Sequence, residues 1–342
     1  MSNSRADNKE ILECKEVLDA CRQELAKRIV GQESVIDDFF MALIAGGHVL
    51  LEGVPGLAKT LLVKTFSDIS GFDFKRIQFT PDLLPADVSG TLVYEQNSGK
   101  FTVRKGPVFA NLILADEINR APAKVQSALL EAMAEKQVTI GEETYALPNP
   151  FFVMATQNPI EQDGTYNLPE AELDRFIVKI LMPYPTQKDE CQIVKMGGKI
   201  QQVEVKKVFS QDILAKCQKA LDAIQCDDKI VEYIVSIVSV TRSNVKNSDK
   251  KNFRSLNSGT RNREDILKYI SFGASPRASI ALCQCAKVAA LFAGRDFVLP
   301  EDVKKVTPAV LRHRLVLSYE AAADGISADD VISKILDFMP VP

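Results

Sequence analysis

The sequence predicts an α/β protein, in which a three-layer αβα domain around a parallel sheet is followed by a small all-helical domain. Apolar runs of strand length recur between residues 49 and 181 and alternate with helical patterns, which is typical of a parallel sheet covered on both faces. Residues 183–186, with two prolines, then interrupt the chain, and the pattern beyond them is mostly helical. We therefore predict one domain over residues 1–186 and another over 187–342.

Length and composition are those of an ordinary soluble globular protein. The 342 residues suffice for two domains that each bury a core, and 46% hydrophobic with 25% charged residues is typical of such domains. A net charge of −3 does not favour a surface dominated by nucleic-acid binding. The chain begins with polar residues, and no apolar stretch approaches about 18 residues, so we expect neither a signal segment nor a membrane span.

The seven cysteines and two histidines do not indicate a metal site. The cysteines are scattered along the chain, and no two pairs of them show the spacing of zinc ligands. We expect reduced thiols and a cytoplasmic location.

Two helical patterns precede the first predicted strand. The first covers residues 8–28, and the second follows a break at residues 29–32 and runs through residue 44. If the next segment binds a nucleotide, such a helix pair forms a wall beside the base, with Val30 and Gly31 as candidate contacts. A plain loop between two helices explains the same pattern equally well.

A glycine-rich turn joins the first predicted strand to a helix. Strand, small-residue loop and helix in this order form the phosphate-binding P-loop, whose backbone N–H groups surround phosphates at a helix N-terminus. The ammonium of Lys59 would lie between the outer phosphates of ATP, and the hydroxyl of Thr60 would ligate Mg²⁺. The predicted nucleotide contacts are Gly53, Val54, Pro55, Gly56, Leu57, Ala58, Lys59, Thr60 and Leu61.

Ala58 departs from the standard P-loop pattern, which places glycine immediately before the lysine. Because the helix begins at this point, alanine is acceptable there if its φ is negative, and Gly56 supplies flexibility two residues earlier. A strand-to-helix turn without a ligand is the alternative interpretation.

Two hairpin patterns interrupt the alternation of strands and helices. The first has β runs at residues 91–96 and 100–104 around a turn at 97–99, and the second covers residues 138–147. The first insertion is either a tolerated surface loop or a working part. We favour a working part, because insertions into a compact unit are usually functional.

Polar residues follow two of the predicted buried strands. Asp116 and Glu117 come after an apolar run, and Asn158 follows the next such strand. Ligands bind at the carboxyl ends of strands in open α/β sheets, so Asp116 would hold Mg²⁺, directly or through water, and Glu117 would polarise a water molecule. Asn158 would orient that water. Solvated strand ends and ordinary turn chemistry are the alternatives.

Two arginines lie at the ends of predicted helices. Arg175 ends a helix over residues 168–176, where it either complements the helix dipole or projects into a neighbouring subunit's nucleotide. Arg277 lies in a first helical turn, where the dipole disfavours a cation, so an anionic partner such as a nucleotide phosphate is expected. The predicted helices of the second domain cover residues 187–198, 210–224, 227–242, 263–271, 276–293, 300–312 and 324–338, with an exposed mobile loop at 243–263.

Together these motifs resemble the MoxR family of AAA+ ATPases over nearly the whole chain. The resembling stretches are residues 53–60 (GVPGLAKT), 77–87 (IQFTPDLLPAD), 114–122 (LADEINRAP), 155–159 (ATQNP), 168–176 (LPEAELDRF) and 273–277 (GASPR). The family itself uses alanine at the position of Ala58. The resemblance implies a P-loop NTPase domain with a helical lid, a hexameric ring, and hydrolysis of ATP with Mg²⁺ at subunit interfaces.

The resemblance also implies a role for each site residue. Lys59 and Thr60 become the Walker A pair, and Asp116 and Glu117 the Walker B pair. The sensors and the arginine finger are then Asn158 (first sensor), Arg277 (second sensor) and Arg175 (finger), with Arg120 as the other candidate finger. The two hairpins match insertions of this clade and would lie near the axial surface of a ring.

MoxR proteins are chaperone-like, so the resemblance implies protein clients, often with von Willebrand A domains. A chelatase-type metal-insertion subunit and a nucleic-acid motor are the alternatives on the same core. A motor would need basic hairpins; the first carries Lys100, Arg104 and Lys105, but the second carries Glu142 and Glu143. A nucleotide-gated scaffold without turnover is disfavoured by the intact acidic pair.

Overall fold

The computed structural model describes residues 3–54, 56–97, 99–159, 164–197, 203–242 and 266–342, with side chains described from residue 9 onward. The chain divides into two compact units. One comprises residues 13–176 and 180–218, and the other comprises residues 1–12, 177–179 and 219–342. The boundary that we place at residue 186 stays a prediction.

A five-stranded sheet has the order β2-β5-β8-β1-β9, and all of it except residues 177–179 of β9 belongs to the first unit. The pairs β2–β5, β5–β8 and β8–β1 are parallel, which confirms the predicted sheet. The strands are β1 (His48–Glu52), β2 (Phe74–Gln78), β5 (Leu112–Asp116), β8 (Phe152–Gln157) and β9 (Phe176–Leu181).

Helices cover both faces of this sheet, which explains why its inner strands read as continuous apolar runs. The described helices of residues 3–223 are α1 (Asn3–Ala26), α2 (Glu33–Ile44), α3 (Lys59–Ser70), α4 (Pro85–Ser89), α5 (Ala123–Glu135), α6 (Glu170–Leu173), α7 (Gln187–Met196) and α8 (Gln211–Ala223). Short 3-10 turns lie at Pro107–Phe109 and Ile118–Arg120.

Successive residues of β8 show how the two layers pack. Phe152 meets the rings of Phe39 edge-on at 5.2 Å between centroids, and Phe39 meets Phe66 at 4.9 Å, so α2 and α3 cover one face. The next residue, Val153, belongs to the opposite cluster with residues of α5 such as Leu129. The alternation of side chains along a strand thus anchors both layers.

His48, at the start of β1, is a structural histidine. Its Nδ1 accepts a hydrogen bond from the Val153 N–H (3.1 Å), and its Nε2 lies 3.3 Å from the Met133 carbonyl. Complete burial lowers the pKa of this imidazole to about 4, so the ring is neutral, with the proton on Nε2.

Both predicted hairpins are present. Strands β3 (Gly90–Glu95) and β4 (Lys100–Lys105) pair antiparallel, as do β6 (Gln137–Ile140) and β7 (Glu143–Ala146). On the first hairpin, Tyr94 lies opposite Phe101, and these side chains are 53% and 68% exposed, so this ribbon carries apolar surface.

The second unit is mostly helical, as predicted for the lid. Its elements are α9 (Asp228–Val240), β10 (Ile270–Phe272), α10 (Pro276–Ala293), α11 (Pro300–Leu311), β11 (Val316–Leu317), α12 (Tyr319–Ala323) and α13 (Ala328–Phe338). Side chains cap the starts of several of these helices; Ser275, for example, accepts from the Arg277 N–H at 3.1 Å. Within the described ranges, no helix is both long and apolar enough to traverse a bilayer.

Three local predictions were wrong. Of the helix predicted over residues 168–176, only Glu170–Leu173 is helical, with Pro169 in extended conformation before it. The helix predicted over residues 263–271 fails at its end, because Ile270–Phe272 pairs with β11 as a strand. The last helix begins at Ala328, where Ser327 caps it, and not at residue 324. The loop predicted at residues 243–263 lies outside the described residues.

Candidate active site

The candidate site lies where β1, β8 and β5 end. These strands are neighbours in the sheet, and the register pairs Glu52 of β1 with Gln157 of β8. Ala115 of β5 pairs with Ala155, which places Asp116 beside the end of the same strand β8. The carboxyl ends of parallel strands thus bring together the predicted loop, the acidic pair and Asn158.

The loop after β1 is shaped by its backbone. Gly53 packs so closely against Met182 that a Cβ there would lie 2.8 Å from the Met182 Cβ. Gly56 has a φ of 88° and Ala58 a φ of 58°, both in the left-handed region. The expected negative φ at Ala58 is therefore wrong. Alternating backbone conformations of this kind turn successive N–H groups toward one side, as in anion-binding nests.

Helix α3 begins at Lys59, immediately after Ala58. The first orphan N–H groups of the helix and its dipole are therefore presented next to the loop, where phosphates bind in P-loops. Thr60 and Leu61 lie in the first turn of this helix, and Val54 and Leu57 lie in the loop. Pro55 falls outside the described residues.

Lys59 interacts with the acidic end of β5 as well as with the loop. Its ammonium donates a hydrogen bond to the Gly53 carbonyl. Partial burial lowers the pKa of Lys59, and three carboxylates oppose that shift: those of Asp116, Glu117 and Glu52. The cation and the acidic pair therefore lie close enough to interact electrostatically.

Both oxygens of Asp116 accept hydrogen bonds. Oδ1 accepts from the Thr156 hydroxyl at 2.6 Å. Oδ2 accepts from Arg76 through Nε (3.1 Å) and Nη2 (2.6 Å). The Asp116 side chain is only 16% exposed, so these charge-assisted bonds hold it in a defined orientation.

Glu117 is held by its backbone and by its side chain. Its φ of 56° lies in the left-handed region, and its N–H donates to the Thr156 hydroxyl oxygen at 2.9 Å. Oε2 accepts from Gln78 Nε2 at 2.9 Å and from Arg120 Nη1 at 3.2 Å. Arg120, the alternative candidate finger, is thus within this chain's own acidic cluster.

A polar cavity of about 440 Å³ opens beside the strand ends. Its lining residues are Glu52, Asn119, Gln157, Asn158, Pro159, Thr165 and Asn167. Asn158 is 9% exposed, and the buried Oδ1 of Asn119 has no hydrogen-bond partner among the described atoms. A polar cavity of this kind suits an ordered water or a phosphate oxygen. Asn119 is not among the site residues predicted from the sequence. The sequence feature that points to it is its position two residues after Glu117.

Fewer contacts define the positions of the remaining predicted site residues. Arg175 is exposed, and its Nη1 donates to the Leu130 carbonyl of α5 at 2.9 Å. Val30 and Gly31 form the turn before α2, where a Cβ on Gly31 would collide with the Asp189 carboxylate. Arg277 is exposed in the first turn of α10, in the other compact unit.

The donor atoms at the site fit magnesium and a polyphosphate. Thr60 and Asp116 offer hard oxygen ligands, whereas the described part of the chain holds no cluster of three or more His, Cys, Asp or Glu able to bind a metal. Mg²⁺ suits that situation, because it is held by one or two carboxylates together with water and substrate phosphates.

Comparison with known proteins gives the family. The family model described as "ATPase family associated with various cellular activities (AAA)" matches residues 48–178, and an AAA lid model matches residues 264–335. The chaperone MoxR1 of Mycobacterium tuberculosis is 46% identical over 93% of this chain and 81% of its own length. The chain is a member of the MoxR family of AAA+ ATPases.

Further relatives support this MoxR assignment. Protein MoxR of Methylorubrum extorquens is 30% identical over 94% of both chains. The crystal structure of a candidate ATPase from Cytophaga hutchinsonii matches with a TM-score of 0.87, at 43% identity and over 100% of both chains. AAA+ ATPases bind nucleotides, hydrolyse ATP and typically form oligomeric rings.

Proposed function

We propose that this MoxR-family protein is a Mg²⁺-dependent ATPase whose turnover remodels or matures protein partners. The observation that carries the proposal is the convergence of Lys59, Asp116 and Glu117 at one edge of the sheet, next to a helix N-terminus. The word "chaperone" in the name of the Mycobacterium tuberculosis relative supports protein clients.

The proposed chemistry is an in-line attack of water on the γ-phosphorus of ATP, which breaks the bond to the β,γ-bridging oxygen and releases ADP and phosphate. The loop N–H groups and the Lys59 ammonium hold the phosphates and stabilise their developing negative charge. Thr60 and Asp116 would hold Mg²⁺, which supplies charge neutralisation when bound. Glu117 accepts the proton of the attacking water, and Asn158, which lines the polar cavity, orients that water.

We further propose that the ring is hexameric and that Arg175 reaches the nucleotide of a neighbouring subunit. Arg175 is exposed and at the boundary of a strand, whereas Arg120 is paired with Glu117 of its own chain. That difference favours Arg175 as the arginine that acts in trans. Arg277 would contact the phosphates from the helical domain, and Val30 with Gly31 would contact the base.

Replacement of Glu117 by glutamine tests the chemical step. Glu117→Gln keeps size and hydrogen bonding but cannot accept the proton, so we expect nucleotide binding to persist while kcat falls on the order of 10²- to 10⁴-fold. Steady-state phosphate release and equilibrium nucleotide binding measure the two effects. Glu131→Gln, an exposed change on α5, is the matched control. Turnover near the wild-type rate in Glu117→Gln would remove Glu117 from this role.

Mixing of two inactive variants tests the arginine in trans. Arg175→Ala should hydrolyse ATP poorly, and Lys59→Ala should fail to bind it. In mixed rings, a Lys59→Ala subunit can donate its intact Arg175 to a neighbour that binds ATP, so we expect activity to rise above the sum of the two separate activities. The same mixing with an Arg120→Ala variant is the comparison. If mixing restores activity to Arg120→Ala but not to Arg175→Ala, Arg120 would be the arginine that acts in trans.

The client proposal is tested by capture. Glu117→Gln with ATP should retain partner proteins that Lys59→Ala does not retain, because only the former is held in the nucleotide-bound state. Equal recovery of every co-purifying protein by both variants would contradict nucleotide-dependent client handling.

A further inference from the structure

Arg76, on strand β2, makes a contact that the proposed catalytic scheme does not use. Its guanidinium donates from both Nε and Nη2 to a single oxygen, Oδ2 of Asp116. Nη2 also donates to Oε1 of Gln78 at 2.7 Å, which fixes the orientation of the guanidinium. The strand that supplies Arg76 lies beside β5, with Gln78 in register with Asp116.

The Arg76 contact competes with a metal ion for the negative charge of Asp116. Oδ1 of Asp116 is already bound by the buried hydroxyl of Thr156, whose relative exposure is 1%. A direct Mg²⁺ ligand must bring a carboxylate oxygen to about 2.0–2.1 Å from the ion. The Arg76 guanidinium and a Mg²⁺ ion held by Asp116, directly or through water, would lie on the same carboxylate and repel each other, so the arginine weakens the attraction of Asp116 for the metal.

We propose that Arg76 is an internal counter-ion of Asp116 that competes with the metal ion, and that it thereby raises the Mg²⁺ concentration that the nucleotide site requires. This inference rests on the proposed function. The Arg76 side chain is 48% exposed, so it can turn into solvent without leaving a charge buried. The Asp116 side chain is only 16% exposed, so it stays in place to receive the metal.

Loss of the Arg76 contact would also change the contacts that position Glu117. Gln78 accepts a hydrogen bond from Arg76 through Oε1 and donates one to Glu117 Oε2 through Nε2. Gln78 therefore bridges the arginine and the second carboxylate. When the arginine leaves, one of the two contacts that position this bridge is lost, and the side chain of Glu117 gains freedom to turn toward a water molecule.

The test is a titration of free Mg²⁺ against binding of a fluorescent, non-hydrolysable ATP analogue. The chain has no tryptophan, so the fluorescence reports the probe without intrinsic indole emission. Removal of the competing cation in Arg76→Ala should lower the half-saturating Mg²⁺ concentration about two- to fivefold, the range that a partly exposed ion pair supports. Arg76→Lys keeps the charge but loses the two-nitrogen contact and should fall between wild type and Arg76→Ala.

Lys75→Ala is the matched control. It removes one exposed positive charge from the same strand, but successive side chains on a strand point to opposite faces. Its half-saturating Mg²⁺ concentration should equal that of wild type. A shift of the same size in Lys75→Ala would mean that general charge, and not competition for Asp116, sets the midpoint.

A double-mutant cycle with Asp116→Asn localises the effect. In the Asp116→Asn background, the Arg76→Ala substitution should no longer move the Mg²⁺ midpoint, because the shared oxygen has lost its charge. An unchanged or raised midpoint in Arg76→Ala overturns the counter-ion proposal, and a raised midpoint would make Arg76 a phosphate contact. If Arg76→Ala does not fold, Arg76→Lys decides by the same criterion.

The failure of the counter-ion role is distinguishable from failure of the ATPase proposal. If wild type does not bind the analogue at any Mg²⁺ concentration, or if Lys59→Ala binds it as tightly as wild type, both proposals fall. If wild type binds with a normal Mg²⁺ dependence that Lys59→Ala loses, and Arg76→Ala does not lower the midpoint, only the counter-ion role falls.

Discussion

The loop after β1 and the acidic end of β5 contribute to one site but are built differently. The loop is shaped by its own backbone, through the positive φ values of Gly56 and Ala58 and the start of α3. The acidic end is held by side chains from three other segments: Arg76 and Gln78 on β2, Arg120 in the following turn and Thr156 on β8. The loop is therefore a local structure, whereas the acidic end depends on the tertiary arrangement of the sheet.

Among the substitutions that test this difference, removal of the Thr156 hydroxyl should have the largest effect on stability and turnover. Thr156→Val leaves the Glu117 N–H without its acceptor and Asp116 Oδ1 without its donor, in a residue that is 1% exposed. An unpaired buried polar group costs about 1–3 kcal/mol, so the free energy of unfolding should fall by that amount. ATP turnover should fall as well, because both carboxylates lose a positioning contact. Urea unfolding and steady-state phosphate release measure the two effects.

Thr156→Ser is the matched control for that experiment. Serine keeps the hydroxyl and removes only a methyl group, so it should retain most of the turnover that Thr156→Val loses. If the two variants lose activity equally, packing of the Thr156 methyl group, and not the shared hydroxyl, positions the acidic end of β5.

Substitutions in the loop should have smaller effects that depend only on backbone conformation. Apart from its chain neighbours, no atom of the described residues lies within 4 Å of a Cβ built on Gly56, so Gly56→Ala meets no clash from them but places alanine at a φ of 88°. The left-handed region costs a residue with a Cβ about 1–2 kcal/mol, which should appear as a lower free energy of unfolding.

Ala58→Gly is the opposite change in the same loop. Glycine adopts the φ of 58° without the cost of a Cβ, but it also raises the entropy of the unfolded chain. The stability should therefore rise by at most about 1 kcal/mol. A clear loss of stability in Ala58→Gly, measured by urea unfolding, would contradict the view that the loop stores strain at this residue.

The same contrast explains what the sequence could predict. The loop, α3, Asp116 and Glu117 could be recognised from the sequence, because each motif consists of a few consecutive residues at the end of a strand. Arg76 was not, since residues 74–79 show only the alternation of a strand, and its contact with Asp116 spans 40 residues. That contact follows from β2 lying beside β5, which is a property of the sheet order.

The local errors have local causes. The expectation of a negative φ at Ala58 treated the residue as the first of the helix, whereas it is the left-handed residue just before it. Apolar spacing predicted a helix over residues 168–176, but Pro169 is extended and the strand β9 begins at Phe176. In both cases a single backbone conformation at the edge of an element outweighed the periodicity within it.

The left-handed backbone at Glu117 has a consequence for the direction of its carboxylate. The bend that follows β5 turns this residue out of the strand, so the direction of its side chain is established when the protein folds. The main chain thereby fixes the direction of the Cα–Cβ bond, and the contacts with Gln78 and Arg120 hold the carboxylate at the far end of the side chain. The left-handed conformation costs the folded chain about 1–2 kcal/mol, and under the proposed function that cost would be repaid as a carboxylate already near its reactive position when a substrate arrives.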